Sequence, residues 1–324
     1  MGLFGKRDKP TYTLFFASDL HGSDKCFRKF LRAREFYGVD ALVLGGDLTG
    51  KVMVPIVDSG GNEFTADFMD RRVSVTGGKE LEDLERSIRF NGYYVHHCGA
   101  EEVQRLSGDD DFQAEVFNGV MRADLVRWMK EAEARFADDP VPITGIPGND
   151  DHDYVSEVLS EAKAIENGED GIVELGPFQV LSCGYSNPTP WNSPREVSET
   201  ELEEKLDAAA QGLEPGRPTV FNVHVPPFNT GLDMAPELDP DMKIRGGAAA
   251  NMTAVGSTAV KAAIEKYQPV VSLHGHVHES RGSARLNQTV ALNPGSEYNA
   301  GVLRGVIVRF AEDGHVISHQ FVAA

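Results

Sequence analysis

Five short apolar runs in this 324-residue chain each end at a residue whose side chain can bind a metal ion. Runs without polar interruptions are typical of strands that are buried on both faces of a layered α/β sheet. The predicted strands are Tyr12–Ala17, Ala41–Leu44, 141–146, Thr219–Val223 and 270–273. Amphipathic helices are predicted between them, at 25–37, 154–164, 199–211 and 257–267, with Asp24 and Ser198 as the N-caps of two of them. With three further strands near the C-terminus, at 290–293, 302–310 and 315–322, the pattern predicts an α/β fold.

Residues 51–140 interrupt this alternation. After Val57 no apolar run is typical of a core strand, and the periodicity instead predicts helices at 79–90, 101–106 and 111–136. The segment holds 11 basic and 19 acidic residues, and it is too long for an ordinary loop. We therefore predict one domain over residues 1–324 with a mainly helical insert at 51–140. A cap over the functional site is one role open to it.

The residues that end the apolar runs form a mixed set of oxygen and nitrogen donors. Because open α/β sheets place ligand sites beyond the carboxyl ends of their strands, we expect these side chains to converge. Two carboxylates, one amide and four imidazoles suit two divalent transition metal ions, such as manganese, iron, zinc or cobalt, better than magnesium alone. The predicted metal ligands are Asp19, His21, Asp47, Asn149, His224, His276 and His278.

The local spacing of these residues is suited to metal binding. Asp19 and His21 lie two residues apart at a strand end, so their side chains face the same side, and His276 and His278 repeat the arrangement. Asp47 follows two glycines, which allow a close approach of backbone and metal, and its two oxygens can bridge two ions. Each motif alone occurs by chance in many proteins. The prediction depends on all five occurring in order at strand ends.

As a set, the motifs resemble those of the calcineurin-like metallophosphoesterases. The matching segments are Asp-Leu-His at 19–21, Gly-Gly-Asp at 45–47, Gly-Asn-Asp at 148–150, Val-His-Val-Pro-Pro at 223–227, Gly-His-Val-His at 275–278 and Leu-Asn-Pro-Gly-Ser at 292–296. The resemblance extends over about residues 12–50 and 141–310 and leaves the insert uncovered. It implies a four-layer α-β-β-α sandwich with a binuclear metal site at one edge.

The resemblance also implies a role for each ligand. One ion would be held by Asp19, His21 and His278. The other would be held by Asn149, His224 and His276, and Asp47 would bridge the two ions. The implied activity is phosphoester hydrolysis, in which a metal-bridging hydroxide attacks phosphorus in line with the leaving oxygen. The expected substrate is a small phosphorylated molecule, a phosphodiester in preference to a phosphomonoester.

The third motif departs from the family at one position. Where the family has a histidine that steadies the phosphate or protonates the leaving group, this chain has Asp150. An aspartate serves as general acid only if its pKa is raised, or it orients a neighbouring histidine, and His152 is a candidate replacement. Alternatively, Asp150 and Asp151 are acidic residues favoured at the start of the helix predicted from residue 154. We retain Asn149, Asp150 and His152 as candidate catalytic residues.

Charge and composition limit the classes of function and the cellular locations that fit this sequence. Acidic residues outnumber basic ones by 50 to 31, and the net charge of −19 disfavours binding to nucleic acid. Two alternatives are a nuclease acting on DNA ends, which would need a basic groove, and a non-catalytic scaffold, which would be expected to lose ligands. Three distant cysteines and an N-terminal segment without an apolar core predict a cytoplasmic protein without membrane association. No feature of the sequence indicates an oligomeric state.

Overall fold

The computed structural model describes residues 11–169, 171–239, 241–245 and 251–324, and the N-terminal segment used for the cytoplasmic prediction lies outside them. The described residues form seven helices: α1 (Asp24–Tyr37), α2 (Lys79–Phe90), α3 (Ala100–Gly108), α4 (Asp110–Arg135), α5 (Tyr154–Glu161), α6 (Glu199–Ala210) and α7 (Thr258–Tyr267). The strands of the first half are β1 (Tyr12–Ala17), β2 (Ala41–Leu44), β3 (Met53–Gly60), β4 (Glu63–Phe68), β5 (Arg71–Thr76), β6 (Tyr94–Cys98), β7 (Ile143–Gly145), β8 (Glu166–Asn167) and β9 (Ile172–Leu175). Those of the second half are β10 (Phe178–Cys183), β11 (Thr219–Val223), β12 (Met234–Pro236), β13 (Met252–Ala254), β14 (Val271–Leu273), β15 (Gly282–Leu286), β16 (Thr289–Asn293), β17 (Arg304–Phe310) and β18 (Val316–Ala323).

Two six-stranded sheets form the centre of the molecule. The first has the order β18-β17-β1-β2-β7-β8 and the second the order β15-β16-β14-β11-β10-β9. Five pairs of neighbouring strands are parallel: β1 with β2 and β2 with β7 in the first sheet, and β10 with β11, β11 with β14 and β14 with β16 in the second. Parallel pairing brings their carboxyl ends to one edge of each sheet, where the predicted ligands follow.

Three hydrophobic clusters divide this sandwich into four layers. Between the sheets, Phe16 and Val43 of the first sheet belong to the same buried cluster as Phe178 and Val220 of the second. A second cluster joins the outer face of the first sheet to α1, α4 and α5, and a third joins the outer face of the second sheet to α6 and α7. The predicted α-β-β-α architecture is confirmed.

The ends of the elements agree with the predicted ones in most places. Strands β1, β2 and β11 have the predicted bounds, and Ser198 caps α6 in a capping box with Glu201. The prediction that Asp24 caps α1 is wrong. Ser23 is the cap, and its hydroxyl accepts a hydrogen bond from the backbone N–H of Cys26, because the Asp24 carboxylate is used elsewhere. Strands β9, β10 and β15 of the second sheet were not predicted.

Residues 51–140 contain the three predicted helices and also a four-stranded sheet, in the order β5-β4-β3-β6. The prediction that no core strand follows Val57 is wrong for this segment. Burial alternates along these strands because the sheet buries one face against α2 in a small cluster of its own, so they lack the apolar runs of the central strands. The hairpin turns use positive φ angles at Asn62, Met69 and Asp70.

Helix α4 ties the insert to the main core. The Trp128 ring stacks on Phe27 of α1 with 4.4 Å between centroids and 3° between planes. Its Nε1 donates a hydrogen bond of 2.6 Å to Asp24 Oδ1, which is the use that takes Asp24 away from capping. The segment is therefore continuous with the outer helical layer.

Candidate metal centre

The structure brings all seven predicted ligands together where the edges of the two sheets meet. The first sheet contributes those that follow β1, β2 and β7, and the second those that follow β11 and β14. From the first sheet come Asp19, His21, Asp47 and Asn149, and from the second His224, His276 and His278. The cluster thus depends on the packing of one sheet on the other.

Three of these side chains form one group of donor atoms. His21 Nε2 lies 3.2 Å from His278 Nε2, and His278 Nε2 lies 3.5 Å from Asp19 Oδ1. Two donors that share an ion at about 2.1 Å with near-tetrahedral angles lie about 3.0–3.5 Å apart. The spacing of Asp19, His21 and His278 is therefore that of three ligands around one cation.

A second group lies beside the first. Asn149 Oδ1 is 3.0 Å from His224 Nε2 and 2.7 Å from His276 Nδ1. Asp47 Oδ2 lies between the groups, 3.6 Å from His21 Nε2 and 3.4 Å from His224 Nε2. Oδ2 is therefore in position to contact ions in both groups, whereas the sequence analysis expected both oxygens to take part and Oδ1 instead accepts from the Asp150 backbone N–H.

Two features of the cluster suit the binding of cations. Asp19 Oδ2 is buried and, within the described part of the chain, has no hydrogen-bond partner, although an orphaned buried oxygen is costly. His21 Nε2 and His278 Nε2 face each other at 3.2 Å, a spacing that fits either a shared proton or a shared cation. Divalent ions of the first transition series accept this oxygen and imidazole donor set, so the residues present fit the metals implied by the sequence.

The outer nitrogens of two imidazoles are held by the backbone. His21 Nδ1 donates to the Thr49 carbonyl at 3.3 Å, and His224 Nδ1 donates to the Gly45 carbonyl at 2.7 Å. These bonds fix the two rings so that each Nε2 faces the cluster. Fixing the tautomer in this way is a common feature of histidines that bind metals.

Burial sets the protonation of the imidazoles. It lowers the pKa of His21 to about 4 and that of His276 to about 3, with neighbouring histidines acting in the same direction, so both rings are neutral near pH 7. At His224 burial also acts to lower the pKa, but the carboxylates of Asp47 and Asp19 outweigh it and raise the pKa to about 10. A cation in the centre would displace that proton, since metal binding requires the neutral ring.

The backbone at the strand ends is sharply turned. Four predicted ligands have left-handed φ angles, with 58° at Asp19, 41° at His21, 51° at Asp47 and 67° at His276. Such conformations cost free energy in residues other than glycine and cluster at functional sites. Gly148 allows its turn to pack closely against Asp47, because a Cβ at this position would lie 2.1 Å from Asp47 Oδ1.

Asp151 holds two of these turns together. Its carboxylate accepts hydrogen bonds from the backbone N–H groups of Leu48, Thr49 and Gly148 and from the Thr49 hydroxyl, at 2.6–3.0 Å. The residue is completely buried. It joins the segment after β2, which carries Asp47, to the turn that carries Asn149. In the sequence, Asp150 and Asp151 form an acidic pair at a predicted helix start, so this role of Asp151 could not be predicted.

Asp150 lies at the rim of the centre, with one carboxylate oxygen within 4.8 Å of donor atoms of His21 and Asp47. It forms an ion pair with Lys51 and accepts a hydrogen bond of 2.7 Å from Ser193 Oγ. Burial acts to raise the pKa of Asp150, but Lys51 and the other donors outweigh it and lower the pKa to about 2. Sequence reasoning missed Lys51 and Ser193 because neither belongs to a recognisable motif.

His152, the other candidate from this segment, lies beside Tyr154. The two rings are 5.9 Å apart at 19°, and none of the contacts described for His152 reaches the seven predicted ligands. Tyr298 instead lies against the cluster, with its ring centroid 4.6 Å from that of His21 and 5.9 Å from that of His278. It follows the predicted Leu-Asn-Pro-Gly-Ser turn, but the sequence analysis did not select it.

The segment after β14 is braced from two sides. Asn293 Nδ2 donates to the carbonyls of Gly275 and Val277 at 3.2 and 3.0 Å. His274 is buried, and its Nδ1 lies 2.8 Å from the Val223 carbonyl and 3.1 Å from the Val225 carbonyl. These contacts fix the backbone on either side of His224 and His276.

Comparison with known proteins supports the fold. No protein-family model matches the chain. A protein of Methanocaldococcus jannaschii described as uncharacterized, MJ1162, is 30% identical over 159 residues, which are 48% of this chain and 65% of that protein. The aligned part is therefore less than two thirds of the relative's length.

Two solved structures share the architecture. TT1561 of Thermus thermophilus matches with a TM-score of 0.52 at 12% identity, over 97% of this chain and 98% of its own. A further crystal structure matches with a TM-score of 0.53 at 15% identity, over 98% and 99%. At these identities the likeness concerns the fold alone.

None of the helices in the described ranges combines the length and apolar composition that a membrane span requires. The chain shares its fold with these solved structures, and the motifs that resemble those of the calcineurin-like metallophosphoesterases lie at the ends of its strands.

Proposed function

We propose that the protein is a metal-dependent phosphoric ester hydrolase that acts on a small phosphodiester. The observation that carries the proposal is the pair of donor groups, spaced at 2.7–3.6 Å and joined by Asp47 Oδ2. This arrangement, in which one carboxylate serves both groups, suits a catalytic site for two ions. The fold alone would not distinguish a hydrolase from a scaffold.

Two bound divalent ions would supply charge neutralisation at the phosphoryl oxygens and a water nucleophile that is active near neutral pH. The protein's own contribution is to hold the donors in place before substrate arrives. The side chains of Asp19, His21, Asp47 and His224 are at most 3% exposed, whereas His278 is 31% exposed. Substrate would therefore approach from the side of His278.

The surroundings of Asp150 support a diester as substrate. Lys51, Ser193 and Asn149 all donate to its carboxylate, so Asp150 acts as an acceptor and is not arranged to give a proton to a leaving group. An ester whose leaving alcohol is acidic needs little protonation. We therefore propose diesters with good leaving groups ahead of monoesters of ordinary alcohols.

The donor set supports manganese, iron, zinc or cobalt in the two positions, because imidazole is a good ligand for these ions. The net charge of −19 supports a small phosphorylated substrate rather than a nucleic acid. We place the protein in the cytoplasm, because its three cysteines are far apart in the chain and free, as is usual in a reducing compartment.

The test combines metal analysis with hydrolysis by the full chain. After incubation with manganese we expect about two ions per chain and faster hydrolysis of bis-p-nitrophenyl phosphate than of p-nitrophenyl phosphate. Asp47→Asn should lower both the metal content and the diester turnover, the latter by about 100-fold or more, because one oxygen of the shared carboxylate is lost. Asp138→Asn, at an exposed position, is the control.

Two ions with no turnover of either ester would contradict the hydrolase and favour the scaffold. Wild-type activity and metal content in Asp47→Asn would contradict the assignment of the site. Cleavage of linear duplex DNA in preference to the small diester would favour the nuclease.

A further inference from the structure

A lysine from the insert lies at the rim of the metal centre. Lys51 is four residues beyond Asp47, and its Nζ forms an ion pair with Asp150 Oδ2. Among the ion pairs of the described residues, this one alone links a lysine or arginine to a side chain grouped with the predicted ligands. The Lys51 side chain is 56% exposed and that of Asp150 is 18% exposed, so the ammonium group faces solvent while its partner is held inside.

The position of the ammonium group is set by Asp150. Oδ1 of this residue accepts from Ser193 Oγ at 2.7 Å and from Asn149 Nδ2 at 3.0 Å, and its backbone N–H donates to Asp47 Oδ1 at 3.0 Å. A surface ion pair is ordinarily worth little, because both side chains must be ordered. Here two contacts already order the carboxylate and a third orders the backbone of the same residue, so Lys51 pairs with a fixed partner.

The same contacts place Lys51 close to the reaction centre. Asp150 carries a carboxylate oxygen within 4.8 Å of donor atoms of His21 and Asp47, and the ammonium group is in direct contact with that carboxylate. An ammonium group has three N–H donors and no acceptor. With one N–H on Asp150, two remain for an anion at the mouth of the centre.

We propose that Lys51 binds a non-bridging phosphoryl oxygen of the substrate, with Asp150 as the positioning residue that holds it there. The assignment rests on the proposed phosphoesterase function and adds a substrate contact made by the insert. A lysine suits this task because its compact charge contacts phosphate without a demanding geometry. The pair as a whole is neutral, so the lysine offsets the charge of the third carboxylate at the centre.

The experiment compares Lys51→Met, which keeps the aliphatic stem, with Lys51→Arg and with Lys266→Met. Lys266 of α7 is the matched control, because it has the same 56% exposure and also pairs with an aspartate, Asp207. Each protein is loaded with manganese as the full chain. Three quantities are measured: metal content, the dissociation constant of inorganic phosphate by calorimetry, and kcat and KM for bis-p-nitrophenyl phosphate.

We expect Lys51→Met to retain wild-type metal content, to bind phosphate about 10- to 100-fold more weakly and to lose a similar factor in kcat/KM, since a charged hydrogen bond is removed. The phosphate affinity and kcat/KM of Lys51→Arg should stay within a few-fold of the wild-type values. Those of Lys266→Met should equal the wild-type values. In an Asp150→Asn background the Lys51→Met change should cost less, because the lysine is no longer positioned.

Unchanged phosphate affinity and kcat/KM in Lys51→Met would overturn the proposal. Loss of metal from that variant would also overturn it, by showing that Lys51 acts on the centre and not on the substrate. If the metal-loaded wild type binds phosphate but hydrolyses no ester, the proposed function fails. A weaker phosphate affinity in Lys51→Met would then still support the assigned contact.

Discussion

At the scale of single residues, the centre depends on side chains outside the set of seven predicted ligands. Asp151 is the clearest case, because its carboxylate accepts four hydrogen bonds from Leu48, Thr49 and Gly148 while fully buried. These bonds hold the backbone on either side of Asp47 and Asn149. The placement of the predicted ligands therefore depends on a residue that resembles an ordinary helix-start aspartate in the sequence.

Asp151→Asn should destabilise the metal-free protein by about 2–4 kcal/mol. In either amide orientation an NH2 group would face donors, and buried donors without acceptors are costly. Urea denaturation of the chelated protein measures the change. Asp153→Asn is the control, since that side chain is 92% exposed. Equal stability of the two variants would show that the four hydrogen bonds do not carry the turn.

Asp150 also shows what a motif leaves undecided. The sequence analysis left two interpretations open, a catalytic residue and a helix-start acid. In the structure this carboxylate contacts Lys51 and Ser193, which are 99 residues before and 43 residues after it in the chain. Contacts at such separations depend on the fold, so neither partner could be inferred from residues next to Asp150.

At the scale of elements, helix α4 decides how the insert is attached. Its periodicity predicted a helix, but not that Trp128 would pack on Phe27 and donate to Asp24. The four-stranded sheet nearby was not predicted because one of its faces is exposed. Strands such as β5, with the sequence Arg-Arg-Val-Ser-Val-Thr, show only a short alternation of polar and apolar residues.

Trp128→Ala should lower the free energy of unfolding by about 3–5 kcal/mol, as expected when a large buried side chain is removed from a packed core. Its side chain stacks between α4 and α1 and is 3% exposed. Trp191, the other tryptophan of the chain, is 67% exposed, so Trp191→Ala is the control and should change stability little. If both variants unfold at the same urea concentration, α4 is not part of the main core.

At the scale of the whole molecule, the centre joins the two sheets. Asp47 and Asn149 come from the first sheet and His224 and His276 from the second. An ion shared between them binds only while the sheets are packed together. Metal binding and global folding are therefore linked.

Manganese at about 100 times its dissociation constant should stabilise the protein by about 2.7 kcal/mol per site, and a chelator should reverse the gain. Thermal unfolding with and without chelator measures the shift. The Asp47→Asn variant should show a much smaller shift, because its shared ligand is weakened. A midpoint independent of manganese in the wild type would contradict a site that spans the sheets.

The sequence by itself determined the fold class, most of the central strands and the order of the polar motifs, because strand burial and chain order are local properties that apolar runs record directly. Only the tertiary structure decided which atoms face one another, how Asp151 and Asp150 are used and where α4 packs. Those features arise when two sheets and an insert meet. The physical reason is that a contact between distant residues depends on the packing of every layer between them, which no local pattern encodes.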